Sequence, residues 1–282
     1  MSFRHGLWIL ICASALGLCA PASAAQALRV MSFNVRVPID HDANAWTQRR
    51  DLLVRVIRQQ HPDVLGTQEL TEEQGEYIAA HLDGYAWFGE GRECGSKGEH
   101  MGVFYRTARL KVIESGNFWL SDTPGVCGSK TWGQPLPRMV TWARFRMRGQ
   151  GGETFYYFNT HFPYRDQDTG PRLRAAREIL DRIGTLPAHA RVVLTGDFNC
   201  TPASPVHAAL TGALHDAWIQ AARRAGPART FHNFTGIADR RIDWILSRGF
   251  KARFIRTVTT HAGQRYPSDH FPVVAELVPA GR

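Results

Sequence analysis

Cysteine is scarce: five in 282 residues, none within three places of another, so neither a Cys-x-x-Cys redox motif nor a cysteine zinc site is available. No pair of histidines stands at metal-ligand spacing. The longest apolar run, Leu7 to Leu18, falls short of the about 20 residues that cross a bilayer, and no second run follows. Low-complexity segments and blocks of like charge are also missing, which excludes a disordered linker or a basic nucleic-acid tail. The one repeated string, Cys-Gly-Ser-Lys at 94–97 and 127–130, is too short to mark an internal repeat.

What is present is a chain with 44% apolar residues, long enough to bury a sizeable core. Arg4 and His5 precede the apolar run, and Ala22-Ser23-Ala24 is the small-x-small pattern a signal peptidase reads. Residues 1–24 are therefore expected to be a cleavable signal peptide, cut after Ala24, with a periplasmic or secreted product. Leu18 before Cys19 argues against a lipid anchor. No linker divides what remains, so residues 25–282 are read as one domain. That remainder carries 33 basic against 25 acidic residues, since the leader holds one Arg and no acid. A surplus of this size suits attraction to phosphate or polyanions and equally suits an Arg-rich solvated surface. In an oxidising compartment Cys94 and Cys127 are the natural disulfide pair, leaving Cys200 as an odd, buried thiol.

Alternation at Leu28–Val35 predicts a strand, and Leu52, Leu53, Val56 and Ile57 predict one face of a helix over Trp46–Gln60, stopped by His61-Pro62. A short strand, Val64–Gln68, follows. Thr71 and Gln74 form a capping box for a helix reaching Leu82. Strands are expected at Met101–Tyr105, Lys111–Ile113, Val140–Met147 and Thr154–Asn159. A helix over Arg172–Ile183, opened by Pro171, should bury Leu173, Ala176, Leu180 and Ile183. Strand Arg191–Leu194, helix Pro205–Leu210 and strands Ile242–Leu246, Phe254–Val258 and Val273–Leu277 complete the pattern.

Polar residues stand at strand ends in five places: Asn34, Glu69, Asn159 to His161, Asp197 with Asn199, and Asp269 with His270. A sixth, Asp243, interrupts an apolar strand. Each alone is explained by a turn or a satisfied core contact. Six together point to a site, because open-sheet enzymes gather reactive groups where rigid strands give way to loops. Asp197 can take or orient a water proton while Asn199 holds an oxygen without adding charge. His270 can donate to a phosphate oxyanion, kept protonated by a carboxylate for which Asp243 is the candidate. Few, hard oxygen donors argue for Mg²⁺ or Mn²⁺ rather than structural zinc.

In order, Ser32-Phe-Asn34, Thr67-Gln-Glu69, Asn159-Thr-His161, Gly196-Asp197-Phe-Asn199, Ile242-Asp243 and Ser268-Asp269-His270 resemble the endonuclease/exonuclease/phosphatase superfamily, the group of type I deoxyribonucleases, inositol polyphosphate 5-phosphatases and deadenylases. The resemblance spans Leu28 to Leu277. It implies a four-layer α/β/β/α sandwich of two packed mixed β-sheets and one-step hydrolysis of a phosphoester. It further implies Asn34, Glu69 and Asp269 on the metal side, Asp197 and Asn199 at the attacking water, His161 on the phosphate, and His270 with Asp243 at the transition state.

The stretch around Gly89–Arg106 and Leu136-Pro-Arg138 looks like that of bacterial, often exported, members, which adds Glu99 to the metal side and Arg138 as a phosphate-binding fork. Arg172, at a helix start, is a weaker substrate-binding candidate. Two departures stand out: Arg36 occupies a place where some repair nucleases carry a second acid, and Pro163-Tyr164 replaces a common acid after Phe162. The expected partner is a phosphate ester of sugar, lipid head group or nucleic acid, with no stable protein partner. A DNase-like nuclease is the alternative, supported by the basic surplus and by Trp87, Trp119, Trp132 and Tyr164 near loops. A polyanion-binding protein without catalysis is the remaining reading.

Overall fold

The computed structural model describes residues 1–2, 27–149 and 152–281. The basic start, apolar run and cleavage site of the expected signal peptide lie outside the described residues. The first strand, β1 (Leu28–Asn34), is followed by α1 (Trp46–Gln60), β2 (Val64–Gln68) and α2 (Glu72–Ala80). Helix α1 buries the stripe of Leu52, Leu53, Val56 and Ile57, and stops where His61 turns left-handed at φ 46° before Pro62. The capping box of α2 is formed: Gln74 N donates to Thr71 Oγ1, and Thr71 N donates to Gln74 Oε1 at 3.0 Å.

Next come β3 (Tyr85–Phe88), β4 (Val103–Arg106), β5 (Leu110–Trp119), β6 (Met139–Met147) and β7 (Thr154–His161). Strand β5 is much longer than the three residues expected, because a register shift at Val112/Glu114 and a mostly exposed middle break its alternation. Helix α3 (Thr169–Gly184) starts before Pro171 and turns Ala175, Ala176, Ile179 and Ile183 inward, so Leu173 and Leu180 of the expected face are only half-buried. The chain closes with β8 (Arg191–Asp197), α4 (Pro205–Thr211), β9 (His215–Asp216), α5 (Ala217–Gln220), β10 (Arg223–Ala225), β11 (Asp243–Arg248), β12 (Phe250–Thr257) and β13 (Val273–Pro279). Strands β3, β9 and β10 and helix α5 were not expected from sequence; each is four residues or fewer, too short for a period to register.

One sheet runs β10-β12-β13-β1-β2-β4-β3, the other β5-β6-β7-β8-β11-β9. Both are mixed: β1 pairs parallel with β2 but antiparallel with β13, and β8 pairs parallel with β7 but antiparallel with β11. Between them Val30, Val64 and Ala275 pack on Phe145, Tyr157 and Val193. Burial of each Val or Phe side chain among them contributes about 1.5–3 kcal/mol. The strands' opposite faces are covered by helices: α1 and α2 lie over Met31, Phe33 and Leu65, and α3 and α4 over Val192, Leu194 and Leu246. The result is the four-layer sandwich.

Two features bind the sheets at one end. Gly66 lies so close to Asn159, Tyr157 and Thr195 that a Cβ would collide with all three side chains. Asn159 itself bridges the sheets, accepting from Gln68 Nε2 at 2.7 Å and donating to the Thr67 carbonyl at 2.7 Å. Asn159 is thus a fastener beneath the site rather than a member of it.

Candidate active site

The C-terminal ends of β7 and β8 and the start of β11 lie side by side, with His161 and Asp243 both in register with Asp197. Above this edge a hollow of about 430 Å³ is lined by Glu69, Glu99, Arg138, His161, Asp197, Asn199, Asp269 and His270, with Arg36, Tyr164, Phe231 and Arg240 among the remaining walls. Asn34 and Asp243 lie just beneath. A larger hollow, about 800 Å³, opens at the opposite end of β7 and β8 around Glu153 and Arg191, whose charges pair with each other at 3.0 Å. It holds no comparable cluster of acids and imidazoles.

Four wall residues, Arg36, Glu69, Asn199 and Asn233, have left-handed backbones, with φ between 47° and 60°. Such geometry persists only where contacts over-determine it. Here Arg36 N donates to Asn34 Oδ1 at 3.0 Å, Val37 N to Glu69 Oε2 at 3.0 Å, and Asn199 N to Asp197 Oδ1 at 2.9 Å.

Asp197 is the hub. Its Oδ2 accepts from Asn34 Nδ2 at 3.0 Å and lies 3.5 Å from His161 Nε2 and 3.7 Å from His270 Nε2. Burial and the neighbouring Asp243 push its pKa up to about 7, against the opposing pull of His270. His270 behaves in the opposite sense. Burial pushes it down, but Asp243, whose Oδ2 is 2.9 Å from Nδ1, with Asp197 and Asp269, carries it up to about 10, so it is a cation at neutral pH. His161 is held well below the usual histidine range by burial and by Arg138 and Arg92. Its Nε2 receives Asn199 Nδ2 at 2.9 Å, which leaves the proton on Nδ1, 3.9 Å from Glu99 Oε2.

The donor set decides whether a divalent cation fits. Glu69, Asp269 and Glu99 are hard oxygen donors facing one hollow. Burial, together with the charge of Glu69, pushes Asp269 and Glu99 up, against the pull of His270 on Asp269 and of Arg92 on Glu99, and all three acids converge on one hollow. That is chemistry suited to a small hard cation. Asp197, Asp243 and His270 also place one ligand atom each within 4.8 Å of one another. In that trio Asp243 Oδ2 is already paired with His270 Nδ1 at 2.9 Å, while Asp243 Oδ1 is buried without a partner among the described residues. Asn34 turns Nδ2, a donor, toward both Glu69 and Asp197, at 3.1 and 3.0 Å, and its oxygen is taken by Arg36 N. Set this way it clasps the two acids. Arg36 Nη1 stands 3.6 Å from Asp269 Oδ2, a positive charge where a second carboxylate would otherwise sit.

Residues 31–270 match the sequence profile of the Endonuclease/Exonuclease/phosphatase family. The chain belongs to that family. An endonuclease/exonuclease/phosphatase family protein from Bacteroides thetaiotaomicron has the same fold, with a TM-score of 0.84 and 32% identity over 91% of this chain and 99% of that one. A mannosyl-6-phosphatase from the same organism is likewise similar, with a TM-score of 0.82 and 32% identity over 89% and 99%. An uncharacterized protein of Acanthamoeba polyphaga mimivirus is 26% identical over 174 residues, spanning 56% of this chain but only 61% of that relative.

Not every residue singled out from sequence reaches the hollow. Arg172 lies apart, its guanidinium donating to the carbonyls of Pro163 and Arg165 at 2.9 Å each and of Asp166 at 3.2 Å. It splices the loop after β7 to α3 through its Nη1 and Nη2 donors, while its Nε has no partner among the described residues. Trp87 stacks on Phe104 inside the fold, Trp119 is buried with Nε1 on the Arg92 carbonyl, and Trp132 donates to Asp122. Of the four aromatics only Tyr164, 52% exposed, borders the hollow. Cys94 and Cys127 are disulfide-bonded, and Cys200, expected to be buried, is half-buried. Sequence reasoning missed Phe231, Asn233 and Arg240, which arrive on an irregular loop with no motif, and Arg92, which no local signal distinguishes from a surface arginine.

Proposed function

We propose that this protein is an exported, divalent-cation-dependent phosphoester hydrolase acting by direct attack of water. The observation that carries the reading is Arg138, 3% exposed, whose Nη1 has no hydrogen-bond partner among the described residues and which faces the same hollow as Asp197 and His270. A buried guanidinium is expensive to leave unpaired, and a phosphate dianion repays it.

In the proposed reaction Arg138 and His161 hold the phosphoryl oxygens. Asp197, oriented by Asn34 and Asn199, accepts a proton from the attacking water as its oxygen bonds to phosphorus. The ester oxygen leaves with the bonding pair and takes up a proton from solvent, and Asp197 returns its proton to solvent afterwards. His270, held cationic by Asp243, donates to the charge that grows on the phosphoryl oxygens. Glu69 and Asp269, with Glu99 nearby, would hold Mg²⁺ or Mn²⁺, which neutralises phosphoryl charge when bound.

The 32% identity to a mannosyl-6-phosphatase favours a small phosphomonoester, such as a sugar phosphate, over a polymer. The inward packing of Trp87 and Trp119 removes part of the support for a nuclease. Export is supported by the leader pattern and by the Cys94–Cys127 bridge, which belongs in an oxidising compartment. The test is a screen of sugar phosphates, bis-p-nitrophenyl phosphate and nucleic acid with Mg²⁺ or Mn²⁺, run beside EDTA and Asp197→Asn controls. Hydrolysis of sugar phosphates lost in both controls supports the reading. Turnover of none of the three sinks it, and steeply salt-dependent cleavage of nucleic acid alone transfers the protein to the nuclease reading.

A further inference from the structure

Arg138 and Glu99 share one hollow without pairing with each other. Both residues line the hollow, and each guanidinium near Glu99 acts on its carboxylate: Arg92 most strongly, then Arg138. Yet the carboxylate is bonded to Arg92, Nη1 to Oε2 at 2.7 Å, and no acid oxygen among the described residues lies within ion-pair distance of Arg138. Arg92 does not line the hollow. It is buried in the wall behind it, and its backbone is held on two sides: its N donates to the Glu99 carbonyl at 2.9 Å, and its carbonyl accepts from Trp119 Nε1 at 2.8 Å. The Cys94–Cys127 bridge ties the same turn to the loop after Trp119.

We infer that Arg92 is a positioning residue: by holding Glu99 it keeps that carboxylate off Arg138 and leaves the Arg138 guanidinium open for the phosphate of the substrate. The inference rests on the phosphoester reading above. Without Arg92 the guanidinium left to act on the buried carboxylate is that of Arg138, and in metal-free protein the anion site closes on itself. An Arg that merely filled space would have no such specific effect on anion affinity.

The experiment is calorimetric titration of the folded protein with inorganic phosphate, which needs no turnover. Arg92→Gln is expected to weaken phosphate binding by about tenfold or more, the scale of losing one buried charge contact. Adding Glu99→Gln to that variant is expected to bring affinity back to within about threefold of wild type, because the competing charge is gone. In steady-state assays the Arg92→Gln loss should fall mainly on KM. Arg92→Gln that binds phosphate like wild type, or a loss that persists undiminished in the double variant, overturns the inference. If Arg92→Gln does not fold, Glu99→Gln is compared with the double variant. Equal affinities support the inference, and a further loss of about tenfold on removing Arg92 overturns it. A wild-type protein that binds no phosphate overturns the reading of Arg138 and this inference with it, whereas binding that ignores Arg92 overturns this inference alone.

Discussion

Nδ1 of His270 lies 2.9 Å from Oδ2 of Asp243, a contact between a loop leading into one sheet and a strand that opens in the other. Both groups are buried, and the pair joins the two halves of the sandwich at the point where the chemistry is proposed. Its first consequence concerns pH. A histidine raised from 6.5 to about 10 is cationic in the fold across the neutral range. Its contribution to stability is complete below about 6.5 and is lost as pH climbs through about 10. Activity should fall along the same alkaline limb. Asp243→Asn is expected to move that limb down by more than one pH unit and to lower kcat by about a hundredfold. A pH–rate profile of kcat/KM checks this; an unmoved limb removes the pair from the mechanism.

Asp197 titrates in the opposite direction. Held up to about 7, it binds its proton more tightly folded than unfolded, so stability declines as pH rises from about 4 to about 7. Activity requires the ionised form and should rise over the same interval. Bound Mg²⁺ should draw that acid limb below 7, since nearby positive charge favours the carboxylate. Asp197→Asn is expected to raise the melting temperature at pH 8 by a few degrees while lowering kcat about a thousandfold. Thermal melts in metal-free buffer, paired with rates, measure both; a destabilised Asn variant contradicts the account.

Arg172 offers a contrast with Arg138. Because its donors serve carbonyls of the loop after β7, Arg172→Met is expected to leave KM unchanged and to cost about 1–3 kcal/mol of stability through the acceptors left unpaired. Urea unfolding and steady-state kinetics separate the two effects. A raised KM at unchanged stability would restore Arg172 to the substrate.

Gly66→Ala tests the junction beneath the site. The added methyl strikes Asn159, Tyr157 and Thr195, all buried, so the sheets must part or the side chains must leave their bonds. A loss of about 1–3 kcal/mol is expected, with Asn159→Ala costing a similar amount. The two losses should not add, since they disturb one contact. Full additivity in a double variant would place Gly66 and Asn159 in separate interactions.

Much of this was legible along the chain. Helix α1 emerged with the bounds its apolar stripe and His61-Pro62 stop predict, and the capping box of α2 formed between the two residues that signal it. Such features depend on neighbours within a turn or two, where period and backbone chemistry act directly. Strand β5 was cut short in the reading because its register shift and exposed middle erase alternation. Strands β9 and β10 are too short to have a period.

The candidate site divides the same way. Residue types at strand ends point to His161, Asp197 and Asp243, because β7 and its parallel neighbour β8 end where the antiparallel β11 begins, while His270 joins them from the loop before β13. The four layers were implied by the resemblance of the ordered motifs to the endonuclease/exonuclease/phosphatase superfamily, not by the order of strands and helices. Only the tertiary structure decided that Asn34 presents a donor to two carboxylates, that Arg172 is spent on backbone carbonyls, and that Arg92 rather than Arg138 holds Glu99. Those outcomes turn on which of several competing partners a buried polar group finds first. That is settled by distances between segments far apart in the chain, which no local pattern encodes.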